Sequence, residues 1–180
     1  EKPLKIKVEG RNLRNDAVLY PVASSPFVGI KSDIGSKSPF EIYNLTTGGK
    51  AGTVTGISAS NDLGLSPDGK YLVFVRQRAR SSRIWRINAD GTDPVQLTEE
   101  NSSFFDFSPQ MTPDGKLIIF QRQKAAEDRS VFMTMPIEGG TAEMLYERDG
   151  GSVFNPRISP DGKRIAFGAY DVKAFQKRLF

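Results

Sequence analysis

The apolar residues of this chain fall in short runs separated by glycine, proline and aspartate, without sustained helical spacing. Runs such as YLVFV at residues 71–75 and LIIF at 117–120 are rich in the β-branched and aromatic residues that favour strands. Their length, about four to eight residues, is that of a strand rather than of a helix. The pattern therefore predicts an all-β protein built from many short strands.

These runs belong to a repeat. The segments SPDGKYLVFVRQ, TPDGKLIIFQRQ and SPDGKRIAFGAY begin at Ser66, Thr112 and Ser159, which lie 46 and 47 residues apart. A weaker copy, FEIYNLTTGGKAGTVTG, begins at Phe40. A period of about 45 residues is typical of propellers and other repeat arrays. Each unit reads as four strands, A to D, joined by an A–B turn, a B–C loop and a C–D turn, and a D–A loop leads to the next unit.

The B strands at 71–75 and 117–120 are apolar on both faces. A strand of this kind needs cover on both sides, whereas the outer face of a two-layer sandwich would be polar. Small antiparallel sheets stacked around an axis provide that cover, so the pattern favours the blades of a β-propeller. Tyr43, Trp85 and Phe132 are predicted to occupy equivalent positions in strand C and to pack between blades.

The Pro-Asp-Gly turn of each repeat has a structural explanation. Proline presets φ at the first corner, aspartate accepts hydrogen bonds from nearby amides, and glycine adopts positive φ without a Cβ clash. The alternative is that three aspartates at a fixed spacing, Asp68, Asp114 and Asp161, are catalytic or bind a metal. Because Pro-Asp-Gly is a strong turn signal, the turn interpretation is favoured.

Ser/Thr-Pro-Asp-Gly-Lys, an apolar strand ending in Phe, an aromatic-bearing strand, Asp-Gly and a Leu-Thr pair together resemble the TolB-type, WD40-like β-propeller repeat. Residues 66–98 match this repeat nearly throughout, 112–145 match well, and 159–167 match its first half. The resemblance implies blades of four antiparallel strands and a bacterial envelope setting, as a periplasmic protein. The same repeat occurs in proteins of many roles, so it implies a fold more strongly than a function.

Propellers usually have about four to eight blades, and the repeats here account for about three and a half. We therefore expect a fragment of about four repeats of a larger propeller; alternatively, LKIKVEG at residues 4–10 is a strand that closes the last blade. The predicted organisation is an N-terminal strand or linker at 1–16, a degenerate blade at 17–56, blades at 57–100 and 101–149, and a partial blade at 150–180.

Composition removes several kinds of chemistry. The chain has 180 residues and no cysteine or histidine, which excludes disulfides, cysteine catalysis and Ser-His-Asp triads within it. Its 25 basic and 21 acidic residues give a net charge of +4 with the two signs interspersed. This pattern does not call for a nucleic-acid partner. No apolar run is long enough to span a bilayer, so membrane insertion is not expected.

Two further groups of acidic residues are candidate sites. NADGTD at 88–93 resembles the start of a calcium loop but lacks the closing glutamate, and it falls where the repeat needs its C–D turn. Asp62, Asp106 and Asp149 lie near predicted strand A starts, yet their spacing does not predict a catalytic carboxylate pair. We therefore expect no metal, no cofactor and no catalytic residue in this chain.

The B–C and D–A loops differ from unit to unit, as RQRARSSR differs from RQKAAEDR. Divergent loops on a rigid scaffold are common binding surfaces. The leading prediction is a non-enzymatic module that docks a protein partner through these loops, with self-association through open blade edges as a further expectation. The alternative is the propeller portion of a prolyl-oligopeptidase-type peptidase or a polysaccharide lyase. The candidate partner-binding residues are Arg78, Arg80, Arg83, Lys124 and Arg129.

Overall fold

The computed structural model describes residues 18–22, 25–31, 38–57, 63–78, 81–100, 103–124 and 129–171. This part of the chain contains fourteen strands in four separate antiparallel sheets, and no helix. None of its elements is therefore a helix of the length and hydrophobicity needed to cross a bilayer. The predicted segment 1–16 and the candidate closing strand at 4–10 lie outside the described residues.

Each sheet is a meander in which consecutive strands are neighbours. The first sheet consists of β1 (Val18–Pro21), β2 (Phe27–Lys31), β3 (Phe40–Asn44) and β4 (Lys50–Val54). The second consists of β5 (Leu63–Leu65), β6 (Tyr71–Arg78), β7 (Ser81–Asn88) and β8 (Val95–Gln96).

The third sheet consists of β9 (Phe104–Met111), β10 (Leu117–Lys124), β11 (Ser130–Pro136) and β12 (Glu143–Tyr146), and the fourth of β13 (Gly151–Ile158) and β14 (Ile165–Asp171). The first strands β1, β5, β9 and β13 contact one another in that order. They are therefore the inner strands of successive blades, and the prediction of four-stranded antiparallel blades is confirmed.

The second and third blades are covered on both faces, as their apolar B strands predicted. In β6, Leu72 and Phe74 belong to a buried cluster shared with the first blade, while Val73 and Val75 belong to one shared with the third. A third cluster joins the third and fourth blades around Phe132. Because alternate side chains of a strand point to opposite faces, one B strand supplies two inter-blade cores.

The Pro-Asp-Gly turns also pack against each other from blade to blade. A Cβ placed on Gly115, which has φ +70°, would lie 3.6 Å from Cδ of Pro67 in the preceding turn. Gly162 stands in the same relation to Pro113, at 3.5 Å. Positive φ explains the glycine locally, and the stacking shows that the turns also form a continuous inter-blade contact.

The strand pairing corrects one predicted equivalence. Phe74 pairs with Trp85, and its counterpart Phe120 pairs with Met133, so Trp85 corresponds to Met133 rather than to Phe132. The prediction was wrong because β6 and β7 are joined by two residues whereas β10 and β11 are joined by five. Loop length sets the register of a hairpin, and counting along the sequence alone misplaces strand C.

Candidate functional site

The inner strands of all four blades surround a groove of about 550 Å³. Pro67 and Pro113 line it, so the groove reaches the rim that carries the A–B turns. Most of the lining is apolar and includes Leu19, Met111 and Ile158. Each blade adds only a few side chains, and the groove exists because residues about 45 positions apart meet at the centre of the propeller.

Two polar side chains, Gln110 and Arg157, enter this apolar lining. They occupy equivalent positions in β9 and β13, two residues after Ser108 and Asn155, whose φ angles are +50° and +52°. Both strands have a β-bulge at that point, where the register of the A–B pairing shifts. Bulges re-aim the side chains that follow them, so this irregularity positions both polar groups in the groove.

The groove combines hydrogen-bond donors with apolar side chains. Arg157 is exposed, and its Nη1 donates to the carbonyl of Pro156 at 2.9 Å. Gln110 Nε2 donates to the carbonyl of Pro109 at 3.0 Å. Among the described residues that line the groove there is no carboxylate. The arrangement offers apolar contact and hydrogen-bond donors, which suit an extended apolar segment bearing an acceptor.

The arginine-rich segment RQRARSSR at residues 76–83, which was predicted to be a B–C loop, consists mostly of strand residues. Only residues 79–80 connect β6 to β7, so Arg76 and Arg83 lie within strands and the expected loop placement is corrected. Arg78 is the last residue of β6, and its backbone is described but its side chain is not. Arg80 lies outside the described residues. The strands extend further because Arg76 and Arg83 pair directly across the hairpin.

Arg83 is buried, with 2% of its surface exposed. Its Nη1 donates to the carbonyl of Ser82 at 2.7 Å and to that of Phe104 in the third blade at 2.8 Å. Nearby, Arg86 forms an ion pair with Glu138 of the third blade. These arginines hold two blades together. Their charge was visible in the sequence, but burial by the neighbouring blade was not.

Lys124 and Arg129 flank the B–C loop of the third blade. Lys124 is exposed, and its backbone amide donates to the carbonyl of Arg129. Arg129 forms an ion pair with Glu147 at 2.8 Å, with both side chains about one third exposed. The structure thus brings these two predicted residues together with the following D–A loop, on the rim opposite to the groove.

The repeated aspartates form hydrogen bonds within their own turns. Asp114 Oδ1 accepts hydrogen bonds from the Thr112 hydroxyl at 2.5 Å and from the Lys116 amide at 3.1 Å. These bonds, the hydroxyl first, lower the pKa of Asp114, and the equivalent bonds lower the pKa of Asp161. Partial burial raises the pKa of Asp68, but its hydrogen bonds outweigh burial and the net shift is also downward.

Two of the other acidic candidates, Asp90 and Asp106, also have hydrogen-bond or ion-pair partners. Asp90, in the segment that resembled a calcium loop, accepts hydrogen bonds from the amide and hydroxyl of Thr92. Asp106 is completely buried and paired with Arg122. Asp149 lies in the turn before β13, and Asp62 is outside the described residues. Within the described part of the chain, no three acidic groups lie close enough together to hold a metal ion.

No protein-family model matches the chain. An uncharacterized protein of Agrobacterium fabrum is 27% identical over 161 residues, which cover 82% of this chain and 51% of that protein. This chain thus spans about half the length of that curated relative.

Several solved structures are also similar to this chain. TolB from Acinetobacter baumannii has a TM-score of 0.61 at 20% identity, over 82% of this chain and 36% of TolB. A prolyl endopeptidase has a TM-score of 0.57 at 11% identity, over 92% of this chain and 27% of the peptidase. Oligogalacturonate lyase from Vibrio parahaemolyticus has a TM-score of 0.55 at 12% identity, over 81% of this chain and 44% of the lyase.

These similar structures include enzymes, so the fold by itself does not decide the activity. They agree with the observed architecture of four-stranded antiparallel sheets arranged around inner strands. The resemblance drawn from the Pro-Asp-Gly repeat is confirmed at the level of fold. This chain has the fold of a TolB-like β-propeller.

Proposed function

We propose that the chain is a non-enzymatic propeller module that binds an extended segment of a protein partner. The observation that carries the proposal is the groove lined by the inner strands, where apolar side chains surround Arg157 and Gln110. An extended peptide can place its side chains against Leu19 and Met111 while its carbonyls or a carboxylate accept from Arg157. The TolB resemblance supports a bacterial envelope, specifically periplasmic, setting.

The rim that carries the B–C and D–A loops, which differ from repeat to repeat, is the second part of the proposed surface. Lys124 and Arg129, with Arg78 and Arg80 of the preceding repeat, would add contacts to an acidic region of the partner. Arg83 is not included, because its buried guanidinium already links two blades. The groove and this rim lie on opposite sides, so one short peptide would not reach both.

The test is selection of binding peptides from a random displayed library, followed by calorimetry on the purified chain. We expect Arg157→Glu and Leu19→Arg each to weaken the selected peptides by at least about tenfold. Arg164→Glu is the matched control, because Arg164 is exposed on the same rim but does not line the groove. Equal weakening by Arg157→Glu and Arg164→Glu would overturn the groove assignment.

The rim is tested separately with the double change Lys124→Glu and Arg129→Glu. If selected ligands lose affinity only with this pair, binding belongs to the divergent loops rather than to the groove. If neither set of changes matters, the chain does not bind peptides through either surface and the proposed function fails.

The similarity to a prolyl endopeptidase and a lyase favours one alternative, the propeller portion of an enzyme with most catalytic groups elsewhere. Within the described lining of the groove there is no carboxylate, which argues against carboxylate acid–base chemistry at the groove itself. Incubation of the purified chain with oligogalacturonate and with proline-containing peptides tests this directly. Turnover by this chain alone would replace the binding proposal.

A further inference from the structure

A second cavity, of about 110 Å³, lies between the second and third blades. The second blade contributes the segment that follows its outer strand, residues 97–99, and the third blade contributes Phe104, Arg122 and residues 140–142. The four strands of both blades are all described, so the cavity is bounded by complete sheets. Its volume is that of about four water molecules. The cavity is therefore large enough for a small organic ligand.

Arg122 is fixed in position at the wall of this cavity. Its Nε and Nη2 donate to the carboxylate of Asp106, and its guanidinium carbon lies 3.9 Å from the centroid of the Phe104 ring. Every N–H group of a guanidinium can donate, and Asp106 takes only one from Nε and one from Nη2. In the described part of the chain, Arg122 donates no other hydrogen bond. Because Asp106 is completely buried, the accessible edge of the guanidinium is the one that carries Nη1, and its donors are open to a ligand.

Glu99 adds a carboxylate from the second blade. It follows β8, is exposed, and lines the same cavity. Among the described residues, Glu99 forms no ion pair with Arg122 or with any other cation. A simple anion in the cavity would lie near the Glu99 carboxylate, and a simple cation would lie near the guanidinium, so each would meet one like charge. Two opposite charges that share a small cavity without meeting suit a ligand that carries both charges.

We propose that this cavity binds a small zwitterionic α-amino acid of the size of glycine or alanine. The carboxylate of the ligand accepts hydrogen bonds from Nη1 of Arg122, and its ammonium group donates to Glu99. Leu97 and Ala142 form an apolar part of the wall, which suits a hydrogen or methyl side chain. The site therefore reads both charges of the ligand, one from each blade.

The expected affinity is low, because a ligand of so few atoms makes few contacts. We expect a dissociation constant of about 0.1–10 mM. Binding of the amino acid goes beyond the proposed peptide binding and is independent of it, because the cavity and the groove share no lining residue. Failure of either proposal therefore leaves the other in place.

NMR titration of the isotope-labelled 180-residue chain tests the site, with glycine, L-alanine, acetate and methylammonium as probes. We expect glycine and L-alanine to shift the amide signals of residues 97–99 and 140–142. Both should bind at least about tenfold more tightly than acetate or methylammonium, each of which carries only one of the two charges. No shift of these signals at about 100 mM L-alanine would overturn the proposal. Acetate that binds as tightly as L-alanine would identify a simple anion site and would overturn it too.

Two neighbouring glutamates provide a matched pair of variants. Glu99→Gln should weaken L-alanine binding by at least about tenfold without weakening acetate, because only the ammonium group loses its partner. Glu100→Gln is the control, since Glu100 is exposed, accepts from Gln96, and does not line the cavity. Both glutamates are exposed, so folding should persist. Equal affinities of the two variants for L-alanine would contradict the assigned ammonium contact.

The carboxylate contact is tested by Arg122→Lys, which keeps a positive charge beside Asp106 but removes the second edge of donors. Thr141→Leu provides a second test that leaves the buried ion pair intact, because Thr141 is exposed and lines the cavity. Its larger apolar side chain should occupy part of the space for the ligand. We expect each variant to weaken L-alanine binding by at least about tenfold. Unchanged binding by folded Thr141→Leu would overturn the placement of the ligand in this cavity.

Discussion

Arg122 donates two hydrogen bonds to the buried carboxylate of Asp106, from Nε to Oδ1 at 2.7 Å and from Nη2 to Oδ2 at 3.1 Å. The same guanidinium lies 3.9 Å from the centroid of the Phe104 ring. Asp106 also reaches the second blade, because its backbone carbonyl accepts from the Ser82 hydroxyl at 2.7 Å. A carboxylate that the sequence placed near the start of strand A is thus part of the blade interior.

Removing one partner of this ion pair should be costly. We expect Arg122→Met to lower the free energy of unfolding by about 3–5 kcal/mol, because it leaves the Asp106 carboxylate buried without its partner. Arg129→Met removes a partly exposed pair with Glu147 and should cost at most about 1 kcal/mol. Urea unfolding of both variants measures the difference. Equal losses would contradict the structural role assigned to the buried pair.

The buried arginine of the basic run should behave as scaffold. Arg83→Ala should destabilise the chain by about 2–4 kcal/mol, because the Phe104 carbonyl loses its donor and a cavity is created. Lys124→Ala, at an exposed site, should change stability by less than about 0.5 kcal/mol. Thermal unfolding compares the two. A neutral Arg83→Ala would return this residue to the list of surface candidates.

The loss of stability caused by three glycine-to-alanine substitutions should follow the backbone φ and the space around each Cβ. Gly49→Ala should be nearly neutral, since its Cβ would meet the Thr47 hydroxyl at 3.5 Å and its φ is not positive. Gly115→Ala should cost about 1–2 kcal/mol because of its positive φ. Gly69→Ala should cost more, because its Cβ would also lie 2.6 Å from the Phe27 ring. Denaturant midpoints give the order, and any other ranking would contradict the stacked-turn description.

The turn aspartates should make stability depend on acid. The pKa values of Asp68, Asp114 and Asp161 lie below the ordinary 3.8, so the folded chain holds these protons less tightly than the unfolded chain. Their contribution is present above about pH 3.8 and is lost as pH falls through the folded pKa values. Replacing all three with Asn should destabilise the chain at neutral pH, and that difference should shrink in acid. Melting temperatures across pH measure it, and a constant difference would contradict the assigned hydrogen bonds.

Local sequence was sufficient for the repeated unit. Pro113, Asp114 and Gly115 each perform the backbone task that their residue type predicts, and the two-sided apolar pattern of 71–75 correctly indicated cover on both faces. These features depend on neighbours within a few residues. The four-stranded blade and the propeller fold were therefore predicted from the repeat period, the turn residues, the two-sided apolar strands and the resemblance to a TolB-type repeat.

Tertiary structure decided what depends on neighbouring blades. The sequence indicated that Arg83 is a surface cation, but the third blade buries it. The register of Phe132 depends on the length of a loop. The groove that holds Gln110 and Arg157 is formed by strands from successive repeats. The sequence feature that corresponds to the groove is a Ser-Pro or Asn-Pro pair at a bulge in strand A. This pair indicates a groove only once the inner strands have been brought together. Burial and convergence are properties of contacts between distant residues, whereas strand and turn preferences are properties of each short segment.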